Sequence, residues 1–161
     1  MLPPGPAVVD EDRVLRLLRS VTDDIAVLER EATADEARQE DPIWLRGVKY
    51  TFITAIEACM DVAQHICAAE GWGPPADNGD AARLLGKQNV IGVELAGSIR
   101  KAVGFRNVLV HEYVEVDDSI VISMLGNLPG AGSLAKRRSV CTTPCQARVV
   151  GVGAGGTGRH G

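Results

Sequence analysis

The chain predicts an all-α fold: an up-and-down helical bundle with one short inserted helix and an irregular C-terminal tail. Three observations lead there. Apolar residues recur at spacings of three and four through three long stretches, the period of one helix face. Helix-start and helix-stop residues bracket those stretches. Strand-like alternation is absent, and the aliphatic core this implies agrees with only 4% aromatic residues.

The first helix is predicted over about Val9 to Glu31, with Val14, Leu18, Val21, Ile25 and Leu28 on one face and Asp10 as the cap. The polar stretch Ala32 to Glu40 reads as an extension of it. Asp41-Pro42 marks the next start, because Asp caps and Pro suits a first turn whose N–H groups are unpaired anyway. This second helix runs to about Glu70, with an apolar stripe from Leu45 to Ile66 and a polar stripe holding Glu57, Asp61, Gln64 and His65. Gly71-Trp72-Gly73-Pro74-Pro75 ends it. Asp77-Asn78-Gly79 reads as a turn, followed by a short helix over Asp80 to Leu85 that closes at Gly86. A last long helix spans Val93 to His111 or a little beyond, and a further short one covers Asp117 to Leu125.

These elements make one domain, residues 9–125. Residues 126–161 form a Gly-rich basic tail without amphipathic period, expected to be disordered or atypical. The division is also one of charge. Residues 1–125 hold 12 Lys and Arg against 21 Asp and Glu, a net −9; the tail holds 5 basic residues and no acidic one. An acidic body is a poor general binder of nucleic acid, since phosphate affinity comes mainly from Lys and Arg. An RNA site must then be a local basic cleft or one assembled between subunits. In the tail, Lys136-Arg137-Arg138 reads first as a solvated run.

A charged and then apolar N-terminal leader is not seen, and no apolar run approaches the roughly 18 residues of a membrane span. The expected location is the cytoplasm, with reduced cysteines. Cys59 and Cys67 stand about 12 Å apart on one helix, too far to bridge. Cys141-x3-Cys145 with His160 is only the outline of a zinc site, and neither a metal nor another cofactor is expected.

The chemistry gathers at Arg106-Asn107-Val108-Leu109-Val110-His111-Glu112-Tyr113. On a helical wheel Arg106 falls inside the stripe of Leu95, Ile99, Ala102 and Leu109, which points it at the bundle. A cation there must be paired or reach a cleft; a purely structural Arg bonded to Glu57 or Asp61 is the plain alternative. Gly97, Gly104 and His111 share a second face. Two mid-helix glycines cost about 1 kcal/mol each relative to Ala, which predicts a close backbone, here a dimer contact with His111 at the seam; a kink at one of the glycines is the plain alternative. His111 alone would read equally as a cation favoured at a helix C-terminus. Tyr113 alone would read as a core or interface tyrosine.

Together, Arg-x4-His-x-Tyr with Asn after the Arg resembles the active-site motif of HepT-like toxins, small all-helical ribonucleases of the HEPN superfamily. The resemblance covers residues 10 to 125. It implies a HEPN-like bundle acting as a homodimer, with a composite, metal-independent RNA-cleaving site. Arg106 and His111 are the catalytic residues and Asn107 the supporting one. It further implies a partner, an MntA-type nucleotidyltransferase antitoxin, that can nucleotidylate Tyr113. Family members usually continue with an amphipathic helix where this chain has its tail, so apolar surface on neighbouring helices is expected to be uncovered. The same residues allow two other readings: a non-catalytic helical subunit that presents a substrate or nucleotide to a nucleotidyltransferase, and a dimeric interaction module whose polar cluster only fixes register.

Overall fold

The computed structural model describes residues 8–111 and 116–128, and the tail from 129 onward and Tyr113 lie outside the described residues. Six helices follow in order: α1 Glu11–Glu31, α2 Glu36–Gln39, α3 Trp44–Ala69, α4 Asn78–Lys87, α5 Val93–His111 and α6 Asp118–Gly126. Among the described residues there is no strand. α1, α3 and α5 form the up-and-down bundle, and α4 is the inserted helix.

α1 begins where its cap predicts: the Asp10 side chain accepts from Arg13 N, and the acidic pair Glu11 and Asp12 suits the positive end of the helix. The Asp10 N–H donates to His65 Nε2 at 2.9 Å, which pins the start of α1 to α3. At the other end the sequence expectation needs correction. The stretch 32–40 does not extend α1. Ala32 caps it, and a one-turn α2 follows, capped by Asp35. Glu31 is what holds the turn: it accepts from Arg38 Nε at 2.8 Å, Arg38 NH2 at 3.0 Å and Trp44 Nε1 at 3.0 Å. One carboxylate therefore ties the end of α1 to α2 and to the first residue of α3. The Arg38 guanidinium, donating to it, holds the Glu31 carboxyl below the usual carboxylate range.

α3 starts at Trp44, two residues beyond Pro42. The Asp41 carboxylate accepts from Ile43 N at 2.8 Å, so it serves the turn before the helix and leaves the helix itself without a side-chain cap. The C-terminus closes as a Schellman turn: Gly71, at φ +67, lets Trp72 N reach Cys67 O and Gly71 N reach Ala68 O. By length and composition α3 could cross a membrane, contrary to the sequence expectation, but its buried residues face the bundle on all sides but one.

α4 is longer than predicted. Asp77 is its cap, not part of a turn, and Asp80 reaches back to Ala76 N in the manner of a capping box. α3 and α5 run antiparallel: Phe52 meets Phe105 edge-on with ring centroids 5.4 Å apart, Trp44 and Val48 share a cluster with Leu109, and Ile56 and Met60 share one with Val103. The buried stripe of α5 differs from the predicted one. Ala96, Val103 and Leu109 are buried, whereas Leu95 is exposed. α6, capped by Asp117, lays Val121 and Leu125 on the Trp44 end of the core, and Lys49 Nζ holds Asp118 at 2.7 Å. Its Ile120, Ile122 and Met124 remain exposed.

Candidate active site

The only side of α3 left in solvent is a narrow stripe. At 100° per residue, Arg46, Tyr50, Glu57, Asp61 and Gln64 fall within about 60° of one another. Neighbouring helices bound it. On one flank Thr54 Oγ1 donates to Asp24 of α1 at 2.7 Å. On the other, Arg106 of α5 reaches Glu57. The stripe thus runs along the exposed face of α3, flanked by α1 on one side and α5 on the other.

Arg106 points toward the bundle, as its wheel position predicts. Between Glu57 and Asp61, the structure chooses Glu57. A single oxygen, Glu57 Oε1, accepts from Arg106 Nε at 3.2 Å and also from NH2. Asp61, one turn on, is exposed. The guanidinium side chain is 19% exposed and the carboxylate 43%, so the cation is the more enclosed partner. NH1 donates to Asn107 Oδ1 at 3.3 Å. Among the described residues, three of the five guanidinium protons are engaged and one on each terminal nitrogen is left. Asn107 Oδ1 being taken, the amide NH2 of Asn107 carries the free donors.

His111 ends the described part of α5 and is exposed. It stands about 7.5 Å further along the axis than Arg106 and about 140° round it. The structure therefore brings Arg106, Asn107 and Glu57 together and leaves His111 on the outer face, beside Gly104 and Gly97. Among the described residues, no neighbouring side chain or element lies within 4 Å of where a Cβ would stand at either glycine. The close backbone approach belongs to a different glycine: a Cβ on Gly86 would stand 2.8 Å from Ala96 Cβ. His65 is the network histidine of the Asp10 bond, away from Arg106.

A guanidinium with two spare donors and an amide with two more can grip phosphate oxygens. An exposed imidazole on the same helix can move a proton near neutral pH. Glu57 fixes which edge of the guanidinium is presented. Sequence reasoning left Glu57 as one of two possible partners, and did not single out Tyr50 or Arg46; the signal for both was their register with Glu57 on α3.

A family description, Ribonuclease HepT-like, matches residues 12–130. Among curated proteins, the mRNA nuclease HepT of Shewanella oneidensis is 38% identical over 69 residues, 43% of this chain and 52% of that protein. The tRNA nuclease HepT of Aphanizomenon flos-aquae is 37% identical over 65 residues, 40% of this chain and 44% of that protein. The chain thus spans about half the length of these relatives. Among solved structures, a toxin–antitoxin complex with AMP-PNP superposes with a TM-score of 0.65 at 25% identity, covering 72% of this chain and 88% of that one. The tri-AMPylated Shewanella oneidensis HEPN toxin, in complex with its MNT antitoxin, gives 0.65 at 26% identity, covering 72% and 87%.

Proposed function

This chain belongs to the HepT-like ribonuclease family, and we propose that it is an RNA endonuclease that works without a metal, as the toxin of a toxin–antitoxin pair in the cytoplasm. One observation carries the reading: the Arg106 guanidinium is held against α3 by Glu57 and beside Asn107 with two donors unfilled among the described residues, on the helix that carries the exposed His111.

RNA brings its own nucleophile. His111 takes the proton of the 2′-OH, whose oxygen attacks phosphorus; the bond from phosphorus to the 5′ oxygen breaks, and that oxygen leaves with the proton the His111 imidazolium returns. The products are a 2′,3′-cyclic phosphate and a 5′-hydroxyl. Arg106 stabilises the charge that builds on the phosphoryl oxygens, and the Asn107 amide donates to one of them. No step calls on a metal-bound water, which is the basis for metal independence.

Within one protomer Arg106 and His111 face about 140° apart. A homodimer joined along Gly97 and Gly104 supplies the missing proximity, with His111 of each protomer at the seam. The two bare glycine positions, open on this protomer's surface, support such a contact. The partner is an MntA-type nucleotidyltransferase. It transfers AMP from a nucleoside triphosphate to the Tyr113 hydroxyl, releasing pyrophosphate, and the added phosphate then competes with RNA for Arg106. The MNT antitoxin bound to the Shewanella relative supports this pairing.

The test is cleavage of RNA by the purified chain in EDTA, beside Arg106→Ala and His111→Ala. Each variant is expected to lose at least about a hundredfold in rate. Cleavage that persists in both variants rejects the site. A parent that binds nucleotide or a nucleotidyltransferase yet leaves RNA intact supports the non-catalytic subunit instead.

A further inference from the structure

We propose that Tyr50 and Arg46 of α3 form a binding site for single-stranded RNA beside the reacting phosphate, Tyr50 stacking on a base and Arg46 holding a backbone phosphate. The inference rests on the nuclease reading for its choice of ligand and on the exposed stripe of α3 for its geometry.

Tyr50 is 68% exposed. The other described aromatics do not share this: Trp44 and Phe52 are buried, and Trp72 and Phe105 pack against the core clusters. Tyr50 lies about 20° from Glu57 on the α3 wheel, so it shares the exposed stripe that holds Glu57. It stands seven residues before Glu57, about 10.5 Å along the axis. His111 stands five residues past Arg106, about 7.5 Å along its own. Because α3 and α5 are antiparallel, these two displacements run the same way from the Glu57–Arg106 pair. The phenol and the imidazole are then within about 3 Å of the same level.

The two ends of the stripe differ in the unpaired charge next to the Glu57–Arg106 pair, and this sets the direction of the strand. Beyond Glu57 lies Asp61, exposed and without an ion pair among the described residues, and then the start of α4, where Gln64 Nε2 donates to Asn78 Oδ1 at 2.7 Å, Asp80 is paired with Arg83, and the Arg100 side chain stands by Gly79. Before Glu57 lie Tyr50 and Arg46, both exposed, and Arg46 has no ion pair among the described residues. A phosphate chain held at Arg106 is repelled by the first end and attracted by the second. One aromatic face about 10.5 Å and one cation about 16.5 Å along α3 from the Glu57–Arg106 pair are what a sequence-tolerant single-strand site needs, since every base offers a face to stack.

The experiment measures KM and kcat for a labelled single-stranded RNA, and affinity for its uncleavable 2′-O-methyl counterpart, with light scattering on each protein. Tyr50→Ala is expected to raise KM and the oligonucleotide Kd about tenfold with kcat little changed. Tyr50→Trp keeps the ring and should bind like the parent, which separates stacking from a structural role. Arg46→Ala is expected to lower the salt dependence of binding by about one ion. If the parent cleaves and Tyr50→Ala binds and cleaves as it does, the inference falls and the nuclease reading stands. If the parent does not cleave but binds the oligonucleotide through Tyr50, the reverse holds. Binding by neither protein overturns the inference. So does loss of a dimer in Tyr50→Ala with RNA affinity unchanged, which would make this face a contact between copies.

Discussion

Three helical glycines respond oppositely to the same substitution, and the packing around each sets the sign. At Gly97 and Gly104 a methyl group meets nothing within 4 Å. Each Gly→Ala change there removes backbone freedom from the unfolded chain and is expected to stabilise by about 0.8–1 kcal/mol, or roughly 4 °C in Tm. At Gly86 the new Cβ would stand 2.8 Å from Ala96 Cβ, an atom fixed directly to the backbone of α5. Relief requires α4 and α5 to separate, because no side-chain rotation moves either methyl. Overpacking of this kind costs about 1–3 kcal/mol, against at most about 1 kcal/mol gained in helix propensity. Gly86→Ala should therefore lower Tm, and the assay is thermal and urea unfolding followed by circular dichroism in dilute protein. A stabilised Gly86→Ala would refute the reading of the α4–α5 contact. The other two variants also test the proposed dimer. Added methyls on its seam should weaken self-association while the fold gains stability. Unchanged dimer affinity in Gly97→Ala/Gly104→Ala would place the seam elsewhere.

Glu31 titrates below its ordinary value chiefly because Arg38 donates to it, so its contribution is present at neutral pH and is lost as pH falls below about 4.5. Glu31→Gln should cost about 1–2 kcal/mol at pH 7 and flatten the acid limb of the stability curve; an unchanged limb counts against the tie between α1, α2 and α3. Glu57→Ala frees the guanidinium from its fixed edge and should lower kcat about tenfold. It should also lower KM, because a negative charge beside the RNA is gone. Glu57→Gln, still an acceptor, should recover most of kcat, and kinetics in which both variants match the parent would deny Glu57 a positioning role. The Cys67 thiol is buried and its pKa is pushed up by that burial. It should resist iodoacetamide at pH 8 until the chain is unfolded by denaturant, as read by mass spectrometry; labelling at the rate of a free thiol would mean that the Ala81 side of the core opens readily.

Local signals carried much of this fold. Asp10 caps the helix it was expected to cap, and α6 begins within a residue of its expected start at Asp117, because a cap depends only on residues two or three apart. The orientation of Arg106 toward the bundle was likewise a matter of register. What failed depended on contacts between distant parts of the chain. Ala32 to Glu40 carries helix-compatible residues, and only the meeting of Glu31 with Arg38 and Trp44 breaks it into a turn and α2. Leu95 fits the apolar period, yet α4 packs on Ala96 instead. Asn78-Gly79 resembles a turn until Asp77 and Asp80 cap it from both sides. The choice of Glu57 over Asp61 needed the crossing of α3 and α5, as did the common axial level of Tyr50 and His111.

Arg106→Ala, His111→Ala and the double variant, compared by single-turnover cleavage of one RNA, test most directly whether the two side chains act on one phosphodiester. Joint action predicts that the double variant is no slower than the slower single one, with the parent leaving only 2′,3′-cyclic phosphate ends. Losses that multiply in the double variant, or parent products ending in a free 3′-hydroxyl, would contradict it.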